Sequence, residues 1–361
     1  MKARGIRSGV LILLMVLGSL FLPRADVKAQ TSDGALNLTT SPLPINLSIE
    51  PGESVSTELR IKNSGTETEN LQVGLLKFGA NNDSGQPRLA DREPGDDYFD
   101  WVSFSEDRFT AEPNVWKSIT MTIDTPPEAG LGYYYAVTFT RDQGAGVTDQ
   151  GASLEGGTAI LVLLDVRVPY ALRKVEINSF KANRSVYEFL PVEFEVSLKN
   201  SGNIHLIPSG SIFITKGSEQ VAVLDVNAPR GNILPDSSRA FTASWDDGFP
   251  VYEVIEEDGR VVANEDGTPK TKLTWDLSDA GKLRFGKYKA TLLMAYDDGE
   301  KDVPVEAVLT FWVIPWRIIF GGLLFLAVLG AGLYVIIRNV VGIKKKPAKK
   351  KSVDKDNTSE A

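Results

Sequence analysis

The chain has 361 residues, with 39 Lys and Arg against 47 Asp and Glu, a net charge of −8, one histidine and no cysteine. Without cysteine there is no disulfide framework, no thiolate metal site and no cysteine nucleophile. A histidine-rich metal site or a Ser-His-Asp triad would have to rest on His205.

The first predicted element is a leader. Lys2, Arg4, Arg7, Arg24 and Lys28 surround an uncharged, mostly apolar stretch from Gly9 to Leu22, and Val27-Lys28-Ala29 closes the segment. A basic start, a short apolar run and a small-residue site read as a secretory signal peptide, residues 1–29, cut after Ala29. As a helix the run spans about 21 Å, short of a hydrocarbon core of about 30 Å.

Residues 30–316 carry a net charge of −18. That acidity predicts no binding of nucleic acid or of anionic membrane by this body. An exported body without cysteine points to a bacterial surface rather than a disulfide-forming secretory route. The body shows no long amphipathic helix. Short alternating runs broken by turn residues predict strands at Ser54–Lys62, Leu71–Leu75, Val115–Ile123, Tyr133–Phe139 and Ala159–Val168. The last is nearly continuous in apolar residues and is expected to be buried on both faces. After Pro169-Tyr170, strands are predicted at Val192–Leu198, Ser211–Thr215, Gln220–Val226, Arg239–Trp245, Gly286–Tyr296 and Val305–Val313. Residues 251–276 read as a long acidic hairpin with its tip at Asn264–Thr268.

The two halves share punctuation. Lys62-Asn63-Ser64-Gly65 recurs as Lys199-Asn200-Ser201-Gly202, and Gly132-x-Tyr134-x-Ala136 recurs as Gly286-x-Tyr288-x-Ala290. The second pair predicts a Tyr whose ring packs inward while its hydroxyl finds a backbone partner, similar to the tyrosine corner of immunoglobulin-like sandwiches. The expected fold is all-β, with two tandem immunoglobulin-like β-sandwiches at 30–169 and 170–313.

Ile318 to Ile337 is an uncharged apolar run of 20 residues, flanked by Trp312 and Trp316 and containing Tyr334. As a helix it is about 30 Å long, enough to cross a bilayer. The expected transmembrane segment is 314–337, followed by a lysine-rich tail at 338–361. The positive-inside rule places the tail in the cytoplasm and residues 30–316 outside, a single-pass type I arrangement in the cell membrane.

The phrases PLPINLSIEPGESVSTELRIKNSG (42–65) and TPPEAGLGYYYAVTF (125–139), with this layout, resemble the WxL-interacting surface proteins of Gram-positive bacteria. The first domain of that family is similar to the pilus-chaperone (PapD-like) sandwich. The resemblance implies peptidoglycan binding by the first sandwich and binding of a partner surface protein by the second, with no cofactor and no catalysis. The acidic hairpin at 251–276 has no counterpart in it. Trp275-Asp276-Leu277 reads W-x-L, at a level that chance accounts for.

Trp101, Trp116, Tyr133 and Tyr135 are the candidate binding residues, because exposed aromatic rings stack on glycans. Strand alternation sends Tyr133 and Tyr135 to one face and Tyr134 to the other. Two long loops, Gly79–Phe99 and Asp142–Gly157, are further places for recognition. The acid clusters Asp96-Asp97, Asp246-Asp247, Glu256-Glu257-Asp258 and Asp297-Asp298 sit beside Gly or Pro and read as turn formers. A glycosidase would need two of these carboxylates about 5–9.5 Å apart, and calcium at a sandwich rim would need several together. His205 reads as a strand histidine with a structural role. The expected function is a membrane-anchored surface protein that binds cell-wall glycan or another surface protein without catalysis. The alternatives are a chaperone-like factor that lends a sandwich edge strand to an exported client, and a carboxylate glycosidase.

Overall fold

The computed structural model describes residues 36–81, 85–142, 157–257 and 259–342. The predicted leader, most of the Gly-rich loop and the lysine tail lie outside the described residues.

The first sandwich is formed by β1 (Leu38–Ser41), β2 (Ile45–Ile49), β3 (Ser54–Asn63), β4 (Glu69–Ala80), β5 (Pro87–Ala90), β6 (Val102–Phe104), β7 (Arg108–Ala111), β8 (Trp116–Asp124), β9 (Leu131–Arg141) and β10 (Gly157–Val166). One sheet has the order β1-β3-β8-β6 and the other β2-β10-β9-β4-β5, with β7 also pairing β4. Alternation sets the faces. Leu59 and Ile61 of β3 and Ile119, Met121 and Ile123 of β8 have no exposed surface, while Glu58 and Arg60 face water. Each such buried aliphatic side chain contributes about 1.5–3 kcal/mol of hydrophobic stabilisation.

The second sandwich contains β11 (Val175–Ala182), β12 (Val186–Tyr187), β13 (Val192–Asn200), β14 (Ser209–Lys216), β15 (Glu219–Val226), β16 (Ser238–Trp245), β17 (Val251–Val254), β18 (Glu256–Glu257), β19 (Arg260–Val261), β20 (Thr271–Thr274), β21 (Gly286–Asp297) and β22 (Asp302–Val313). A three-stranded sheet β11-β13-β16 faces a five-stranded sheet β12-β22-β21-β14-β15. Trp245, Phe194 and Phe311 fill its core. The acidic segment branches rather than forming one ladder. β17 pairs β20, a smaller hairpin β18–β19 grows from it, and a turn at Asn264–Gly267 closes the far end.

A single helix, α1 (Trp316–Gly342), follows β22. Its Trp316–Val340 stretch reaches a mean hydropathy of 2.4, and no residue of that apolar window is buried in the sandwiches. By length and composition it suffices to cross a membrane.

The expected match between Tyr134 and Tyr288 shifts by one residue. The Tyr288 hydroxyl accepts from Phe285 N–H at 3.2 Å, and the Tyr133 hydroxyl accepts from Gly130 N–H at 3.3 Å. Both strands open on a residue of positive φ, Gly286 at 117° and Leu131 at 69°, and the tyrosine follows two residues later. Tyr134 therefore points away from the core.

Candidate binding cleft between the sandwiches

β10 is the strand on which the site is built. Its apolar run is buried on both sides from Val162 to Leu164. Ile160, Val162, Leu164 and Val166 enter the main core of the first sandwich. Leu163 packs on the outer face with Phe78 and Ala136, and Leu234 of the second sandwich lies against them. A continuous apolar strand is thus explained by a second domain covering its outer face.

The two edges of β10 differ. β9 pairs it along its whole length, from Gly157 to Val166. On the other side, β2 pairs it in parallel only from Val162 to Val166. Among the described residues no strand is hydrogen-bonded to positions 157–161 on this side, although β1 packs close to β10. Half of β10 is therefore unpaired on that side, with backbone donors and acceptors not committed to a ladder.

Beside this edge lies a cleft of about 530 Å³ between the domains. Leu43, Phe78, Leu89 and Leu161 line it from the first sandwich, and Leu234 and Arg239 from the second. Arg239 Nη1 donates to Asn232 O at 2.9 Å, and its guanidinium sits 5.5 Å over Phe241. It makes no ion pair with a carboxylate among the described residues, and burial lowers its pKa. Gly85 and Gly231 flank it closely, since a Cβ on either would come within 3 Å of its side chain. The site thus offers an apolar wall and one set of guanidinium donors.

At the opposite end of the interface the contacts are polar. The Tyr134 hydroxyl accepts from His205 N–H at 3.2 Å, and the two rings meet edge to face at 5.5 Å. His205 lies in the loop between β13 and β14, not in a strand as its apolar neighbours suggested. Burial pushes its imidazole down to about 4, and the Arg173 guanidinium adds to this. Arg173 Nη2 donates to Asp165 Oδ2 at 2.6 Å. Burial raises the Asp165 carboxyl and the Arg173 charge opposes that rise. The linker is fastened to the second sandwich as well. Asn203 N–H donates to Leu172 O at 2.9 Å, and Asn203 Oδ1 accepts from Leu172 N–H at 2.6 Å.

The four candidate aromatics do not form one platform. Trp101, Tyr133 and Tyr135 converge on Tyr98, with ring centroids 6.3, 5.3 and 5.3 Å from it. Tyr135 has no exposed surface, and its hydroxyl donates to Tyr98 O. It is a core residue that cannot present a face to a glycan. Trp101 and Tyr133 are half-buried against the core. Trp116 stands apart at the start of β8, 39% exposed, with Arg60 Cζ and Lys62 Nζ over its ring at 4.8 and 5.5 Å.

Three of the four acid clusters have local partners, and Asp258 of the fourth lies outside the described residues. Asp96 accepts from Glu93 N–H and pairs with Lys77, and Asp247 pairs with Lys282 and Arg284. Asp297 and Asp298 accept from the N–H groups of the Gly299–Lys301 turn. Among the described residues no three His, Asp or Glu side chains converge as metal ligands. The cleft itself carried little sequence signal, because its walls come from both halves of the chain.

No protein family matches the chain, and no curated protein is similar to it in sequence. Solved structures with a similar fold include the Class 5 fimbriae chaperone CfaA, 14% identical, covering 75% of this chain and 98% of that one at a TM-score of 0.34. The Escherichia coli chaperone DraB is 14% identical, covering 75% and 96% at 0.31. The chaperone-tip adhesin complex of CFA/I fimbriae is 16% identical, covering 56% and 86% at 0.30.

Proposed function

We propose that this chain is a membrane-anchored, non-enzymatic binding protein of the cell surface. It takes a protein partner as an extended segment laid along the open half of β10. The observation that supports this is the unpaired edge at 157–161 beside an apolar cleft of about 530 Å³. A strand added there would gain backbone hydrogen bonds from the edge. Its alternate side chains would bury themselves beside Ala159 and Leu161. The leader, α1 and the lysine tail give the layout of an exported body held at one membrane span. The partner is another surface protein or an exported client. Cell-wall glycan receives less support, because Tyr135 is enclosed and two cations occupy the Trp116 ring.

The test uses the intact chain in lipid nanodiscs and two peptides of one composition, one alternating Val and Thr, the other with the same residues in blocks. The alternating peptide is expected to slow amide hydrogen exchange within 157–161. Leu161→Glu is expected to weaken its binding by about tenfold or more. Binding of neither peptide, or protection confined to other strands, overturns the proposal.

A further inference from the structure

The second sandwich meets the helix across two residues. β22 ends at Val313 and α1 begins at Trp316, leaving only Ile314 and Pro315. The junction is fastened on both sides. Ile314 N–H donates to Tyr187 O at 2.8 Å, and the Glu188 carboxylate pairs with Arg317 at 3.3 Å. Gly286 lies opposite Val313 in the ladder, so the segment that leads into β21 reaches the same end of the sandwich.

That segment is 275–285. Phe189, the neighbour of Glu188, meets the Trp275 ring at 6.2 Å, and Phe249 meets it at 5.6 Å. Trp275, Leu277, Leu283 and Phe285 are all exposed, as are Trp312 at the end of β22 and Trp316 at the start of α1. Leu277 is 77% exposed, more than any large apolar residue described on α1 itself. Six large apolar side chains thus collect at the helix mouth. The cations among them are already neutralised. Lys282 pairs with Asp247 and Asp279, and Arg284 pairs with Asp247.

We propose that this apolar lip rests in the interfacial layer of the bilayer that holds α1, with Trp275, Leu277, Leu283 and Phe285 among the lipid headgroups. The inference depends on α1 spanning a membrane. A connection of two residues, at most about 11 Å long, keeps the end of the second sandwich that carries the lip close to the helix entrance. Tryptophan favours that depth because its ring is apolar and its N–H is polar. The cations are paired and the remaining charge, the Asp276 carboxylate, is held by Ser278, so the contact has no free cation and needs no anionic lipid, consistent with the acidic body. The second sandwich would then be seated on the membrane rather than swinging above it.

The chain has no cysteine, so a single nitroxide label can be placed without altering other residues. Three variants of the full chain, Leu277→Cys, Val328→Cys and Glu58→Cys, would be labelled and reconstituted in phosphatidylcholine bilayers. Glu58 is an exposed position of the first sandwich and Val328 lies midway along α1. The label at 328 is expected to read the hydrocarbon core. The label at 277 is expected to lose roughly threefold or more of its collision rate with a water-soluble nickel complex, relative to 58, and to gain contact with lipid-dissolved oxygen. If 328 reads the core while 277 reads like 58, the lip is wrong and the anchor stands. If 328 reads water, the anchor fails and the lip with it.

Discussion

Asn63 and Asn200 make the same three hydrogen bonds in separate sandwiches. Asn63 Nδ2 donates to Glu67 O and Ala111 O, and its Oδ1 accepts from Gly65 N–H. Asn200 Nδ2 donates to Ile204 O and Ile233 O, and its Oδ1 accepts from Gly202 N–H. Both side chains are buried, so each amide replaces water for three backbone groups. Asn200→Ala leaves those groups unsatisfied and is expected to destabilise the second sandwich by about 2–4 kcal/mol. Asn63→Ala should do the same to the first. Denaturant unfolding of the intact chain checks this, with hydrogen exchange assigning the loss to one sandwich.

The glycines of the same two turns have different jobs. A Cβ on Gly202 would stand 2.1 Å from Leu172 O in the linker, whereas on Gly65 it would approach only the Asn63 side chain at 3.0 Å. Gly202→Ala must displace backbone and is expected to cost about 1–3 kcal/mol and to loosen the linker. Gly65→Ala should be milder. Small-angle scattering of the intact chain, embedded in matched nanodiscs, should show a broader interdomain distance for Gly202→Ala alone.

His205 makes the interface sensitive to acid. In an unfolded chain the imidazole titrates near about 6.5, whereas here burial holds it to about 4. Between these values the unfolded chain binds a proton that the folded chain refuses. The stability contributed by the neutral ring is complete above about pH 6.5 and is lost as the pH falls through that window, by at most about 3 kcal/mol. Arg173 is the charge that acts on it, and Asp165, Arg230 and Asp297 line the same cavity. Asp165 acts with the opposite sign, because its raised pKa lets the folded chain take its proton first as acid is added. His205→Gln is expected to flatten the fall in denaturation midpoint between pH 6.5 and 4. An unchanged slope would refute the assignment.

Tyr135 and Trp116 separate core from surface. Tyr135→Ala empties a fully enclosed site and should cost about 3–5 kcal/mol. Trp116→Ala removes a ring that is already 39% exposed and should cost about 1 kcal/mol or less. Thermal unfolding of the two variants checks the contrast.

Much of the fold was legible because alternation is a strong signal. Leu59 and Ile61 announced β3, and the nearly continuous apolar run of β10 announced burial on both faces. Short strands such as β2 and β12 escaped, since a few residues carry no period and their pairing is set by distant partners. The tyrosine repeat was misplaced by one residue because the left-handed position that opens β9 is occupied by Leu131 rather than glycine. The cleft was not legible at all. Leu161 and Arg239 lie far apart in the chain, and only the packing of one domain on the other brings them to one wall.

The short parallel pairing of β12 with β22 has a mechanical consequence. Val186 and Tyr187 lie opposite Trp312 and Val313, and the chain leaves this patch in opposite directions, toward the first sandwich and toward α1. A tug between a captured ligand and the anchored helix would load those backbone bonds in shear, all at once rather than one after another. Such a load would meet its resistance at the point where the chain leaves for the helix.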